Sequence, residues 1–468
     1  MTSRRAFLKG LAASAALSAY PAAARRLAQS SGDPWRALPA ILARITPPSF
    51  APRDFDVTTF GARGDNEKDN TAAFRDAIAA CVRAGGGRVV VPAGEFASGA
   101  IELKSGVDLH VAEGATIRFA RDASRYPLVL TRWEGTELMN YSPFVYAFEQ
   151  TNVAVTGRGT LDGNADCAHW WPWKGRTDCG WTRGDASQDE DRNRLMEMAE
   201  RGVPVAQRIF GAGHYLRPQF IQPYRCANVL IEGVRVINSP MWQVHPVLCT
   251  NVTVKDLSIA AAGPNTDGCD PESCRDVLIE SCSFDTGDDC IAIKAGRNAD
   301  GRRVNVPSEN IVIRKCRMKN GHGGVTIGSE CSGGTRNVFA EDCQLDSPEL
   351  DFAVRIKTNA RRGGTIENVF ARRLRIGQVA KAALTIDFYY EEGEHGGFTP
   401  VVRNVGLEEI TMQRAEYVLY LRGFARSPIR GVSIANSDFG AVAKPNVAEH
   451  VDGLSLDNVR INGRLAAR

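Results

Sequence analysis

The chain has 468 residues, with 57 Lys plus Arg against 54 Asp plus Glu and a formal net charge of +3 at pH 7. So close a balance leaves no electrostatic footprint for a nucleic-acid partner, although it allows a local basic cleft for an acidic ligand. The length fits two or three average domains or one elongated repeat fold, and sequence gives no reading of the oligomeric state.

The N-terminus reads Ser3-Arg4-Arg5-Ala6-Phe7-Leu8-Lys9, then an apolar stretch from Gly10 to Tyr20, then small residues at Ala22 to Ala24. Paired arginines ahead of a short, weakly apolar segment and an Ala-rich cleavage region read as a twin-arginine export signal over residues 1–30. It is too short for a membrane anchor, and no later window spans a bilayer. The mature protein is therefore expected outside the cytoplasm, periplasmic or extracellular, with no stable membrane insertion. Residues 31–54, Pro-rich as far as Pro52, read as an extended linker, and residues 55–468 as a single domain. Asn70 or Thr71 can cap a helix whose apolar face is Phe74, Ala77, Ile78 and Cys81, ending at Gly85-Gly86-Gly87. That helix reads as a lid over one end of the core, and strands over Arg88–Val91 and Ile101–Leu103 follow it.

From Asn152 onward one phrase recurs: an Asn, Asp or Gly, then Val or Ile, then about six alternating positions. It appears at 152, 228, 251, 276, 310, 337, 368, 404 and 431, in steps of 23 to 36 residues between 228 and 431. Short β-rich units at solenoid length with no helical period predict a right-handed, single-stranded parallel β-helix with an N-terminal capping helix. Cys282, Cys316 and Cys343 fall at one position of three successive repeats, where other repeats carry Val234, Leu257 and Leu374. These cysteines are expected to be small buried residues of the core. Cys167 and Cys179 are the better disulfide candidates. Between about 164 and 222 the rhythm breaks. This insertion holds Trp170, Trp171, Trp173, Trp181 and a helix-like run from Arg192 to Arg201. It reads either as a packed subdomain or as a wall beside a cleft whose aromatics stack on sugar rings.

In a β-helix, residues one repeat apart lie above one another at roughly 4.8 Å. Asp267, Asp288, His322, Arg355 and Tyr390 follow at intervals of 21, 34, 33 and 35 residues, so each step fits one coil. Clustered carboxylates suit acid/base hydrolysis, and mutual repulsion raises the pKa of at least one of them. In Val354-Arg355-Ile356-Lys357 strict alternation puts Arg355 and Lys357 on one outward face, where they suit a ligand bearing carboxylates. Adjacent Asp288 and Asp289 point to opposite faces of a regular strand, so a bend at Gly287 is expected.

Asn265-Thr266-Asp267, Gly287-Asp288-Asp289, Gly321-His322-Gly323 and Arg355-Ile356-Lys357 resemble, in order, the four motifs of the polygalacturonases, glycoside hydrolase family 28. The resemblance implies a right-handed parallel β-helix that hydrolyses α-1,4-galacturonosyl linkages with inversion, without cofactor or metal, on an acidic polysaccharide or oligogalacturonide. It makes Asp288 the general acid, Asp267 and Asp289 the pair holding the water, and His322 the group tied to the acid's protonation. It also makes Asn265, Arg355, Lys357 and Tyr390 substrate contacts, with Tyr389 as an alternative. Lys294 either adds a carboxylate contact or balances local charge, and Asp270 reads as supporting. The insertion, with arms near Met139-Asn140-Tyr141 and Gly393 to Thr399, resembles exo-acting members in closing one end of the groove. Endo action, a rhamnogalacturonan substrate, a calcium-dependent lyase on the same fold and a non-catalytic pectin-binding β-helix are the competing expectations.

Overall fold

The computed structural model describes residues 32–466. Of these, residues 32–38 belong to one compact unit and Pro39 onward to a second. In the first, the Asp33 carboxylate accepts the Trp35 N–H at 3.0 Å and starts a 3-10 turn over Pro34–Ala37. The export-signal reading falls on residues 1–30, outside the described residues. The stretch read as an extended linker instead contains helix α1 (Leu38–Leu42) and a strap bound to the repeats. Pro39 sits in the first turn of α1, where a missing N–H is tolerated, so Pro content misled here.

The second unit is a right-handed parallel β-helix. Its register follows the recurring phrase: Val153 pairs with Val229, Val229 with Val252, Val252 with Val277, and Val277 with Ile311. The phrase begins on Asn for a backbone reason. From Asn152 to Asn404 its first residue holds φ between 56° and 59°, the left-handed region that Asn and Asp tolerate. There the side-chain amides stack: Asn228 donates to Asn152 at 2.8 Å, Asn251 to Asn228 at 2.7 Å, Asn310 to Asp276 at 2.9 Å and Asn337 to Asn310 at 3.0 Å. Residues 44–46 tie the two runs together, since Arg44 donates to Asp276 at 2.8 Å and Thr46 exchanges hydrogen bonds with Asn251 at 2.9 and 2.8 Å.

Helix α2 (Thr71–Arg83) buries Ala73, Phe74, Ala77, Ile78 and Cys81 against the first coils. Asn70 does not cap it; its amide binds Arg63, and Asp69 accepts the Thr71 N–H at 3.1 Å instead. Cys282, Cys316 and Cys343 are buried in the core, and Cys167 and Cys179 form a disulfide. A second cysteine ladder lies at another corner, where the Cys226 and Cys249 N–H groups point at the sulfurs of Cys249 and Cys274, each at 3.4 Å.

An antiparallel hairpin, β1 (Leu128–Trp133) and β2 (Thr136–Tyr141), precedes the insertion, which contributes helix α3 (Asp189–Glu200). The insertion tryptophans are largely occupied by packing. Trp170 is 2% exposed between Tyr126 and Phe144, Trp173 packs on Trp170, and Trp171 bonds the Ser239 carbonyl at 2.9 Å. Trp170 is therefore core, while Trp171 and Trp173 are partly buried and pack against it.

Candidate active site

Six parallel strands form one side of the solenoid, of which the first five are β3 (Ile291–Ile293), β4 (Val325–Ile327), β5 (Phe352–Lys357), β6 (Ala382–Asp387) and β7 (Tyr417–Arg422). Their alternation sends Ile291, Val325, Val354 and Leu384 inward as partners on successive rungs. Outward residues fall into columns. Ala292, Thr326, Arg355, Thr385 and Tyr420 are direct rung partners. Two residues back from Cys269, Ile291 and Val325, themselves successive rungs, lie Asp267, Asp289 and Gly323.

This grid corrects the coil count. The rung partner of Asp267 is Asp289, not Asp288, and Arg355 stands above Thr326 rather than above His322. Equal spacing selected the coil but not the column; long side chains then cross columns to meet. Arg355 and Lys357 reach Asp289 at 3.4 and 2.7 Å, and Thr326 donates to it at 3.0 Å. Gly323 makes the crossing possible, because a Cβ there would stand 2.3 Å from the Thr326 hydroxyl and 2.9 Å from an Asp289 oxygen. The bend at Gly287 turns Asp288 away from Asp289. Its carbonyl accepts the Thr286 hydroxyl at 2.7 Å, and its carboxylate meets a His322 ring nitrogen at 3.0 Å and the Asn265 amide at 3.5 Å.

One oxygen from each of Asp267, Asp288 and Asp289 lies within 4.8 Å of the others. Three carboxylates so close could hold a divalent cation. Here Lys294, Lys357, Arg355 and His322 already place positive charge on them, so the donor set does not fit a resident metal. Burial, then the Asp288 charge, pushes Asp267 well above the usual carboxylate range. Burial also pushes Asp288 up, but the hydrogen bond and charge of His322, with Lys357 and Lys294, outweigh it and hold Asp288 well below that range. The same bond to Asp288 raises His322 above the ordinary histidine value. Among these groups a proton is thus favoured on His322 and Asp267 over Asp288.

Lys294 is 2% exposed, its ammonium held by Asp267 and Glu330 at 3.5 Å, by Asp270 at 3.9 Å and over the Trp242 ring at 4.1 Å. That is the charge-balancing alternative of the two read from sequence. Asp270 is fully buried, with burial and then Asp267 pushing its carboxyl up. Tyr390 lies under Lys357 and Arg355 at 5.2 and 5.7 Å from its ring centre, whereas Tyr389 packs on Phe424. Sequence reasoning missed Thr326, Glu330 and Arg217. Alternation in Val325-Thr326-Ile327 could have exposed Thr326. Arg217, which donates to the Asn265 side chain at 2.8 Å, sits in the insertion without any motif.

One end of this face is closed. Gln222, His245 and Glu272, on the coils before β3, are fully buried under the hairpin: Thr131 bonds Gln222 at 2.5 Å and Arg132 bonds Glu272 at 3.1 Å. At the hairpin tip, Glu134 accepts Arg192 of α3 at 2.8 Å and Arg297 at 3.0 Å.

A parallel β-helix presenting clustered carboxylates, a histidine-held proton and flanking cations in a groove is a glycoside-hydrolysing enzyme by its fold and site. The profile described as Glycosyl hydrolases family 28 matches residues 212–449, and that described as Rhamnogalacturonase A/epimerase, pectate lyase-like, matches residues 55–169. The chain belongs to glycosyl hydrolase family 28. It is 46% identical to a hyperthermoactive exopolygalacturonase from Thermotoga maritima, with a TM-score of 0.89 over 92% of this chain and 96% of that one. A probable polygalacturonase of Vitis vinifera is 28% identical over 85% of this chain and 77% of its own length. An exo-poly-alpha-D-galacturonosidase of Dickeya chrysanthemi is 26% identical over 74% of this chain and 59% of its own.

Proposed function

We propose that this hydrolase removes single galacturonate residues from the non-reducing ends of polygalacturonate chains, with inversion. The observation that carries this reading is the convergence of Arg355, Lys357 and Tyr390 beside the three aspartates, in a groove whose other end is covered. Two cations on one face suit a sugar carboxylate, Arg by a bidentate fork and Lys as a point charge. An end covered by the hairpin stops the chain from extending past the aspartates on that side, which favours release of monomer.

Asp288 acts as the acid on the leaving oxygen. In the free site His322 holds the pKa of Asp288 low, and the hydrogen bond between them favours the proton on His322. A bound galacturonate carboxylate, paired with Lys357 and Arg355, cancels part of the cationic field that holds Asp288 low. Its pKa then rises and the proton passes from His322 to Asp288 and on to the glycosidic oxygen. Asp289 and Asp267 hold a water between them on the other face of the sugar. Oxygens within 4.8 Å allow one water to bond both carboxyls, and Asp289 takes its proton. The nearest oxygens of Asp288 are equally close, nearer than the roughly 6.5–9.5 Å usual for the carboxyls of inverting glycosidases, so inversion rests on the family resemblance.

The test is the product profile on polygalacturonate. Galacturonate alone from the first turnover, appearing as the inverted anomer by proton NMR, is the expected result. Mixed oligomers would replace exo by endo action, and retention would make one aspartate a nucleophile. Rhamnose-terminated products would move the substrate to rhamnogalacturonan.

We also propose that residues 1–30 are a twin-arginine export signal. The Cys167–Cys179 disulfide suits an oxidising compartment, and among the described residues no helix is long and apolar enough to cross a membrane. Replacing Arg4 and Arg5 by Lys should leave the protein in the cytoplasm; unchanged export would remove the proposal.

A further inference from the structure

The columns that carry the catalytic groups do not stop at Arg355. Rungs on the Asp267 side are covered by the hairpin, whereas beyond the aspartates Phe352 and Arg355 on β5 and Tyr417 and Tyr420 on β7 are partly exposed. Tyr417 on β7 is the rung partner of Ala382 and, through it, of Phe352, and Tyr420 that of Thr385 and, through it, of Arg355; Ala382 and Thr385 between them are buried. Phe352, Tyr417 and Tyr420 are all partly exposed, and the two tyrosine rings lie 5.4 Å apart.

A cationic column runs beside these rings. Asp351, Lys381, Glu416 and Lys444 follow one another coil by coil: the Lys381 N–H binds the Asp351 carbonyl at 2.8 Å, the Tyr417 N–H the Lys381 carbonyl at 2.7 Å, and the Lys444 N–H the Glu416 carbonyl at 2.8 Å. The same unit thus occurs twice, two coils apart. An acid precedes an aromatic, Asp351-Phe352 and Glu416-Tyr417, and a lysine from the next coil pairs with the acid and stands over the ring. Lys381 lies 5.3 Å from the Phe352 ring centre, and Lys444 lies 5.4 Å from that of Tyr417. Both lysine side chains are about half exposed, at 50% and 53%. Exposed ion pairs of this kind are weak, so an incoming carboxylate exchanges with Asp351 or Glu416 at little cost.

We propose that this track of Lys381, Lys444, Phe352, Tyr417 and Tyr420 is a binding site for the leaving-group side of the polymer. It seats at least two further uronate residues beyond the one at Arg355 and Lys357. The lysines take the carboxylates and the rings take the apolar faces of the sugars. The coil rise of about 4.8 Å is close to the length of one pyranose in an extended chain, so successive sugars meet successive coils. The track rests on the galacturonan reading above, because a neutral polymer would gain nothing from two lysines. It is continuous with the site and opens away from the covered end, where the rest of an exo substrate must lie.

The test compares Lys381→Glu/Lys444→Glu, and separately Tyr417→Ala/Tyr420→Ala, with the parent enzyme on digalacturonate and on polygalacturonate. Digalacturonate reaches only the sites either side of the scissile bond. Each double variant should lose about tenfold in kcat/KM on the polymer, through KM, and stay within about twofold on the dimer. A milder pair, Lys381→Gln/Lys444→Gln, should move in the same direction and lessen the salt dependence of the polymer KM. Equal losses on both substrates, or no loss on the polymer, overturn the proposal. Absence of galacturonate from both substrates with the parent enzyme overturns the underlying reading instead.

Discussion

Two faces of the same solenoid obey opposite rules. On the asparagine side one residue type recurs on rung after rung, interrupted at Asp276, and within each run an amide donates to the rung before it, as Asn337 does to Asn310 and Asn368 to Asn337. On the groove side the column of Asp267, Asp289 and Gly323 holds an aspartate for two coils and then a glycine. Repetition lets each rung satisfy its neighbour at constant 4.8 Å geometry, which suits stability. Chemistry needs an acid, a base, a cation and a gap on adjacent rungs, so the groove cannot repeat. Substitutions should therefore separate cleanly, with stability lost on one face and turnover on the other.

The sharpest test of that separation is Asp288→Asn. Asparagine keeps the shape but cannot carry a proton to the leaving oxygen, so kcat should fall by about 10²–10⁴-fold or more. The melting temperature should stay within a few degrees of the parent, and near-normal turnover would refute the assignment of Asp288. Gly323→Ala comes next. Its Cβ would displace Thr326 and Asp289, and loss of alignment on that scale costs about a hundredfold in kcat/KM. Digalacturonate kinetics and a thermal melt measure both; parental activity would mean that the gap has no catalytic part.

The two faces also differed in how far sequence revealed them. The stacking phrase and its register were readable, because a period of 2 within strands and a recurring αL residue leave a local signature. The three clustered aspartates, His322 and the Arg355/Lys357 pair were readable as ordered motifs, and their side chains converge. Their columns were not, since whether Arg355 meets Asp289 depends on a glycine one coil away and on a side chain long enough to cross. Arg217 beneath Asn265 and the hairpin covering Gln222 were out of reach, because both join residues distant in the chain through a non-repeating insertion. The strap was misread for the opposite reason: proline content suggested extension, while the contacts of Arg44 and Thr46 are made with residues more than 200 positions away.

On the repeating face, Asn337→Ala should cost stability alone. It removes the bonds to Asn310 and Asn368, both 3.0 Å, and places alanine at φ 58°. Two lost hydrogen bonds and a left-handed alanine together amount to about 2–4 kcal/mol. Urea denaturation reads that loss directly, and kcat should be unchanged. A fall in kcat without a fall in stability would break the comparison between faces.

The smallest expected effect is a displacement of the alkaline limb of activity. His322 is raised above its ordinary 6.5 chiefly by its hydrogen bond to Asp288, and the protonated ring is the form that supplies the acid. Activity should therefore persist past pH 6.5 and fall as pH rises through the raised value. Stability carries the same sign. The imidazolium's contribution is complete below the unfolded histidine pKa and is lost as pH rises through the folded one. The Asp288 contribution runs the other way, present above the unfolded Asp value and lost only as pH falls through its lowered folded value. The pair should thus be strongest between those limits, in the window where Asp288 is ionised and His322 is charged. In His322→Gln the alkaline limb of kcat/KM should vanish along with most of the activity. A limb that keeps its midpoint in that variant belongs to another group, and His322 then has no part in holding the proton.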